Sequence, residues 1–259
     1  MNYKDMLVFL DAGNDTESRV DQAIALCQQF NARLTGVDVS TPEAYGNEYA
    51  ERAVRLEEMF TARLEQASLT GTYRVAEKRT ASWKDFYAHY TDLVVATQRE
   101  ESTDPITAKE VPDGIVMSAG VPVLVLPPRW RNSALGESVV LAWNASREST
   151  RAMHDALPFL RRASRVTIFE YAPPADDVDS APDLVREHLS HHGVNSEIFT
   201  WPDVRDISPM DALFSCLDRQ QADLIVAGAF GHSSLMESLL GSASDDLLHN
   251  PSVPVLMSH

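Results

Sequence analysis

The chain is written twice. "TDLVVATQRE" from Thr91 matches "ADLIVAGAFG" from Ala222, 131 positions on, and "GVPVLVLPP" from Gly120 matches "SVPVLMSH" from Ser252, 132 positions on. Near the start, "MLVFLDAGNDTESRVDQAIAL" matches "SVVLAWNASRESTRAMHDALPFL", which sets Asp11 against Asn144, 133 positions on. Three near-equal offsets in chain order indicate duplication of one unit. Each copy alternates short aliphatic runs with amphipathic stretches, so each must bury its own strands under its own helices. That alternation predicts a parallel, doubly wound sheet with helices on both faces.

In the first copy the predicted strands are Met6 to Leu10, Leu34 to Val39, Tyr73 to Val75, Leu93 to Ala96 and Val121 to Leu126. In the second they are Val139 to Trp143, Val166 to Phe169, Glu197 to Thr200, Leu224 to Ala227 and Val253 to Met257. The first helix carries an apolar stripe of Val20, Ala23, Ile24, Cys27 and Phe30, with Asn14 and Glu17 spaced as a capping box. A long helix is expected from Glu43 to Gln66, and Ser146 is expected to cap the first helix of the second copy. "PPRWRNSALGE" from Pro127 has linker composition, so the units are drawn as residues 1–128 and 138–259.

Charge and cysteine usage narrow the function. With 38 Asp and Glu against 22 Lys and Arg, the net charge of −16 repels a polyphosphate backbone, which argues against nucleic acid as a partner. Cys27 and Cys216, far apart in helix-like stretches, read as buried thiols. No apolar run reaches transmembrane length and no basic-then-apolar leader follows Met1, so the expectation is a cytoplasmic protein with no membrane partner. His191 and His192, before Gly193, read as solvated loop side chains, with no Cys or second His at metal-ligand spacing and no metal site expected. "GHSS" lacks the second glycine of a serine-hydrolase elbow, and no paired carboxylates stand out for catalysis.

The chemistry concentrates after the aliphatic run Leu224 to Ala227. There Gly228, Gly231, Gly241 and Ser242 form G-x2-G-x9-G-S, and the apolar spacing of Leu239, Leu240, Ala243, Leu247 and Leu248 predicts a helix around Gly241. Glycines let backbone N–H groups approach a ligand, and a helix start adds free donors, a combination that suits phosphate.

The strand, this glycine spacing and the closing "VPVLMS" resemble the universal stress protein family. The resemblance implies two tandem units of adenine nucleotide α-hydrolase-like fold, paired as a pseudo-dimer through Val121 to Leu126 and Val253 to Met257. It also implies an ATP-type nucleotide in the second unit, as a binding and regulatory function in stress response rather than an enzyme activity, with slow ATP hydrolysis only incidental. Phosphates would meet Gly228, Gly231, His232, Ser233, Gly241, Ser242 and Ala243, and adenine would lie beside Ala142, Trp143, Asn144 and the backbone at Phe169. Family members often carry Asp where Asn144 stands, so the resemblance implies no firm requirement for magnesium. The first unit keeps Asp11 but has Thr97, Glu100, Lys109 and Glu110 at the phosphate positions, which predicts one site rather than two. The alternative is a nucleotide-free protein acting through an unidentified protein partner or as a homodimer.

Overall fold

A computed structural model describes residues 2–11, 15–39, 48–76, 87–97, 113–128, 130, 135–171, 181–201, 207–229, 247 and 252–259. The chain divides into two compact units, Asn2–Ser133 and Ala134–His259.

In the N-terminal unit the described elements are β1 (Asp5–Leu10), α1 (Thr16–Phe30), β2 (Arg33–Asp38), α2 (Tyr49–Gln66), β3 (Gly71–Val75), β4 (Leu93–Thr97), α3 (Asp113–Ser118) and β5 (Val123–Leu126). Its strands lie in the order β3-β2-β1-β4-β5, with the described ladders parallel. The C-terminal unit contains β6 (Ser138–Ala142), α4 (Arg147–Asp155), α5 (Leu157–Leu160), β7 (Arg165–Tyr171), α6 (Pro182–His191), β8 (Glu197–Trp201), α7 (Pro209–Gln220), β9 (Leu224–Gly228) and β10 (Val255–Ser258). Its order is β8-β7-β6-β9-β10, again parallel. Both units are therefore doubly wound α/β sheets, as the alternation predicts.

The duplication extends to register. Met6 pairs with Leu93 in the first unit, and Val139 pairs with Leu224 at the matching rungs of the second. Met6 to Leu10, Leu93 to Ala96, Val139 to Leu141 and Leu224 to Ala227 are all buried, because a parallel sheet under helices on both sides leaves neither strand face to water. One carboxylate recurs with them. Asp92 accepts from the backbone N–H groups of Lys4 (2.7 Å) and Asp5 (3.0 Å). Asp223 likewise accepts from Gly136 (2.9 Å), Glu137 (3.0 Å) and Ser138 (3.2 Å). Each ties the entry of its unit's central strand to the start of the neighbouring strand, satisfying donors that the ladder has not yet engaged.

The α1 stripe is buried throughout, and Ser146 caps α4 by accepting from the Ser149 N–H at 3.0 Å. Three expectations change, and a fourth falls in part outside the described residues. The final strands begin two residues later than expected, at Val123 and Val255, because Pro122 and Pro254 have no N–H and contribute only carbonyls, to Val94 and Ile225. The N-cap of α1 is Asp15 with no side-chain cap, and Glu17 pairs instead with Arg63 of α2; Asn14 lies outside the described residues. The second helix is described from Tyr49, and the expected start at Glu43 lies outside the described residues. His191 is exposed as expected but belongs to the last turn of α6 rather than a loop, and His192 is its C-cap, half-buried with its ring packed on His188. That spacing was missed because His188 and His192 are four apart, one helical turn, which only matters once the helix is known to run that far.

Candidate functional site

In the C-terminal unit the strand order reverses beside the central strand: β7 lies on one side of β6 and β9 on the other. In open parallel sheets such a point is where a crevice forms at the C-terminal strand ends. The structure brings part of the expected residue set to this edge. Ala142 ends β6 opposite Phe169, and the Trp143 N–H donates to the Phe169 carbonyl at 2.9 Å. Trp143 and Gly228 each stand two residues beyond the Leu141–Val226 rung. Trp143, Asn144 and Gly228 are half-buried. Gly231, His232, Ser233, Gly241, Ser242 and Ala243 lie outside the described residues.

Each described position has a local cause. The Asn144 Oδ1 accepts from the Ser146 N–H at 3.1 Å, closing an Asx turn that carries the chain through Ala145 at φ +57° into the α4 cap. Its oxygen is thereby partly committed, and the amide brings no charge for a metal. Phe169 turns its ring into the core, 5 % exposed and stacked on Phe199 at 6.4 Å between centroids, so it faces the crevice with backbone only.

Gly228 is set by packing as well as by access. A Cβ there would lie 2.5 Å from both the Glu148 carbonyl carbon and the Ser149 nitrogen, backbone atoms of the first turn of α4. Backbone cannot yield as a side-chain tip does, so the close approach of β9 to α4 demands glycine. We expect Gly228→Ala to lower stability by about 2 kcal/mol, within the usual range for overpacking, read from the urea midpoint at unchanged m-value.

Sequence reasoning missed two features. Ser258, opposite Gly228 in the β9–β10 ladder, is buried and its Oγ has no hydrogen-bond partner among the described residues, a costly arrangement at this strand edge. The signal was present: Leu126 stands at the matching position of the first unit. The second feature is Arg19 on α1, whose counterpart is Ala152. Its guanidinium is 4 % exposed, pairs with Asp11 at 3.0 Å, donates to the Phe9 carbonyl at 2.8 Å and the Thr16 hydroxyl at 3.0 Å, and also bonds the Thr97 hydroxyl. Thr16 Oγ1 donates to Asp11 as well. The Asp11 carboxylate retained in the N-terminal unit is thus drawn into an internal network spanning the ends of β1 and β4.

Other reactive groups are quiet. Burial pushes the Cys27 thiol up to about 12 and the Cys216 thiol up to about 11, so both stay protonated and poor nucleophiles near neutrality. Among the described residues, no group of three or more His, Cys, Asp and Glu is placed to hold a metal ion. No described helix is long and apolar enough to cross a membrane.

Comparisons with known proteins agree with this architecture. Residues 202–259 match the sequence model of the Universal stress protein family. No curated protein sequence matches the chain. Among solved structures, a universal stress protein from Archaeoglobus fulgidus DSM 4304 is 17% identical with a TM-score of 0.75, over 98% of this chain and 97% of that one. A putative universal stress protein from Pseudomonas aeruginosa UCBPP-PA14 is 14% identical with a TM-score of 0.60, over 99% and 93%. The cytoplasmic domain of a prokaryotic cation chloride cotransporter is similar at 9% identity and a TM-score of 0.57, over 98% and 94%. These likenesses span both units and concern the fold.

Proposed function

We propose that this chain, a tandem protein of the universal stress protein family, binds an adenine nucleotide of the ATP type in its C-terminal unit and acts as a regulatory binding protein in stress response. The observation that carries the reading is the convergence of Trp143, Asn144 and Gly228 at the strand-order reversal, with G-x2-G-x9-G-S beginning at the last residue of β9. Such a point is where open parallel sheets take ligands, and the glycine-rich run that leaves it falls within the segment that matches the family. In this proposal backbone amides and the hydroxyls of Ser233 and Ser242 hold the phosphates. Hydrogen bonds to a charged group contribute about 1.5–3 kcal/mol each, so three or four support micromolar affinity without a lysine.

Magnesium would be held through the phosphates rather than by Asn144, whose amide has no charge and whose oxygen already serves Ser146. Binding, not turnover, is the proposed activity: Trp143, Asn144 and Gly228 offer an indole, an amide and backbone, and none of the three is a general acid or base.

Calorimetric titration of the full chain with ATP, with and without magnesium, tests this. We expect one site per chain, a Kd in the micromolar range and less than a tenfold change with magnesium. The internal Arg19 network and the half-buried Trp143 favour a second reading, a nucleotide-free protein that acts through partners. Absence of any heat of binding, together with no nucleotide released from the purified protein on heating, would select it.

A further inference from the structure

A cluster of imidazoles joins two helices of the C-terminal unit. Helix α6 buries Val185 and Leu189 and packs on β7 and β8, and its last turn carries His188 and His191, with His192 as C-cap. His188 meets His154 from the last turn of α4 edge-on, 5.2 Å between ring centroids, and meets His192 at 4.8 Å. The His188 Nε2 is buried and has no hydrogen-bond partner among the described residues. A neutral imidazole tolerates this, but an imidazolium carries two N–H donors and needs acceptors for both.

Among the described residues, the charges acting on His188 include no carboxylate. On α6 itself Asp183 is paired with Arg186, and Glu187 is exposed. On α4 Asp155 is paired with Arg151. On β7 Glu170 accepts from Thr200 and Arg165 donates to the Gln220 carbonyl, and on β8 Glu197 accepts from Thr167. The charges acting on His188 are those of His154, His191 and His192, and with desolvation as the larger cause they hold its pKa below the usual 6.5.

We propose that His154, His188 and His192 form an acid-opened latch: neutral rings hold the last turn of α6 against α4, and protonation releases it. The sign follows from linkage. A histidine whose pKa is lowered in the closed state binds its proton more readily once open, so the latch is fully closed above about pH 6.5 and weakens as pH falls through that value.

Amide hydrogen exchange of the full chain at about pH 7.5 and about pH 5.5, corrected for intrinsic rates, reads the latch directly. Protection of residues 183–192 is expected to fall at least tenfold more than that of β6 and β9 in the same unit. His188→Phe combined with His192→Phe keeps the ring packing without the protons and is expected to make α6 protection independent of pH. Should that variant misfold, His154→Phe removes the facing proton and is expected to lessen the acid-induced loss. Wild-type α6 protection that tracks β6 and β9, or an undiminished acid loss in the phenylalanine variant that folds, overturns the proposal.

Discussion

Gly231→Glu is expected to weaken binding of ATP to the C-terminal unit about a thousandfold while the chain remains folded. The substitution copies Glu100, which stands at the matching position of the N-terminal unit. On the proposed reading the new carboxylate would come within about 4 Å of a phosphate, where two like charges at an effective dielectric near 20 repel by roughly 4 kcal/mol. Each 1.4 kcal/mol is a factor of ten, so micromolar affinity becomes millimolar. Calorimetry reports the affinity, and an unchanged urea midpoint separates loss of the ligand from loss of the fold. Retained micromolar affinity would remove this glycine run from the site. Gly228→Ala serves as contrast, because its clash with the Glu148 and Ser149 backbone acts on stability whether or not ligand is present.

Arg19→Met is expected to destabilise the N-terminal unit by about 3 kcal/mol. The guanidinium engages Asp11, the Phe9 carbonyl and the hydroxyls of Thr16 and Thr97, so its loss leaves a partly buried carboxylate without its counter-charge. Breaking a buried ion pair from one side costs about 3–5 kcal/mol, and the partial exposure of Asp11 places this case at the lower end. Adding Asp11→Asn removes the stranded charge, and the double variant is expected to recover at least 1 kcal/mol. Strict additivity of the two single effects would show that the carboxylate and guanidinium are not coupled. Urea unfolding followed by the N-terminal unit's own protected amides makes the measurement.

The functional consequence is an asymmetry between copies. In the C-terminal unit Ala152 stands in place of Arg19 and Gly228 in place of Thr97, so the first turn of α4 approaches β9 closely. In the N-terminal unit the same rungs carry an ion pair and hydroxyls that satisfy one another. One ancestral frame thus supports two different strand edges, one carrying a bonded guanidinium, carboxylate and hydroxyls, the other a glycine packed against α4 and, among the described residues, an unpartnered hydroxyl at Ser258.

What the chain's linear order determined was the pair of doubly wound units and the position of nearly every strand. A parallel strand covered on both faces must be an aliphatic run, and Leu93 to Ala96 or Leu224 to Ala227 are visible as such without any contact known. Duplication then fixed the correspondence between units, down to Asp92 and Asp223. The tertiary structure alone decided what Arg19 is for, why residue 228 has no side chain, and that His154 meets His188 and His192. Those facts depend on approaches such as His154 to His188, 34 positions apart, and Glu148 to Gly228, 80 positions apart. Periodicity reports which face of an element is buried; it carries no record of which atom arrives on the other side.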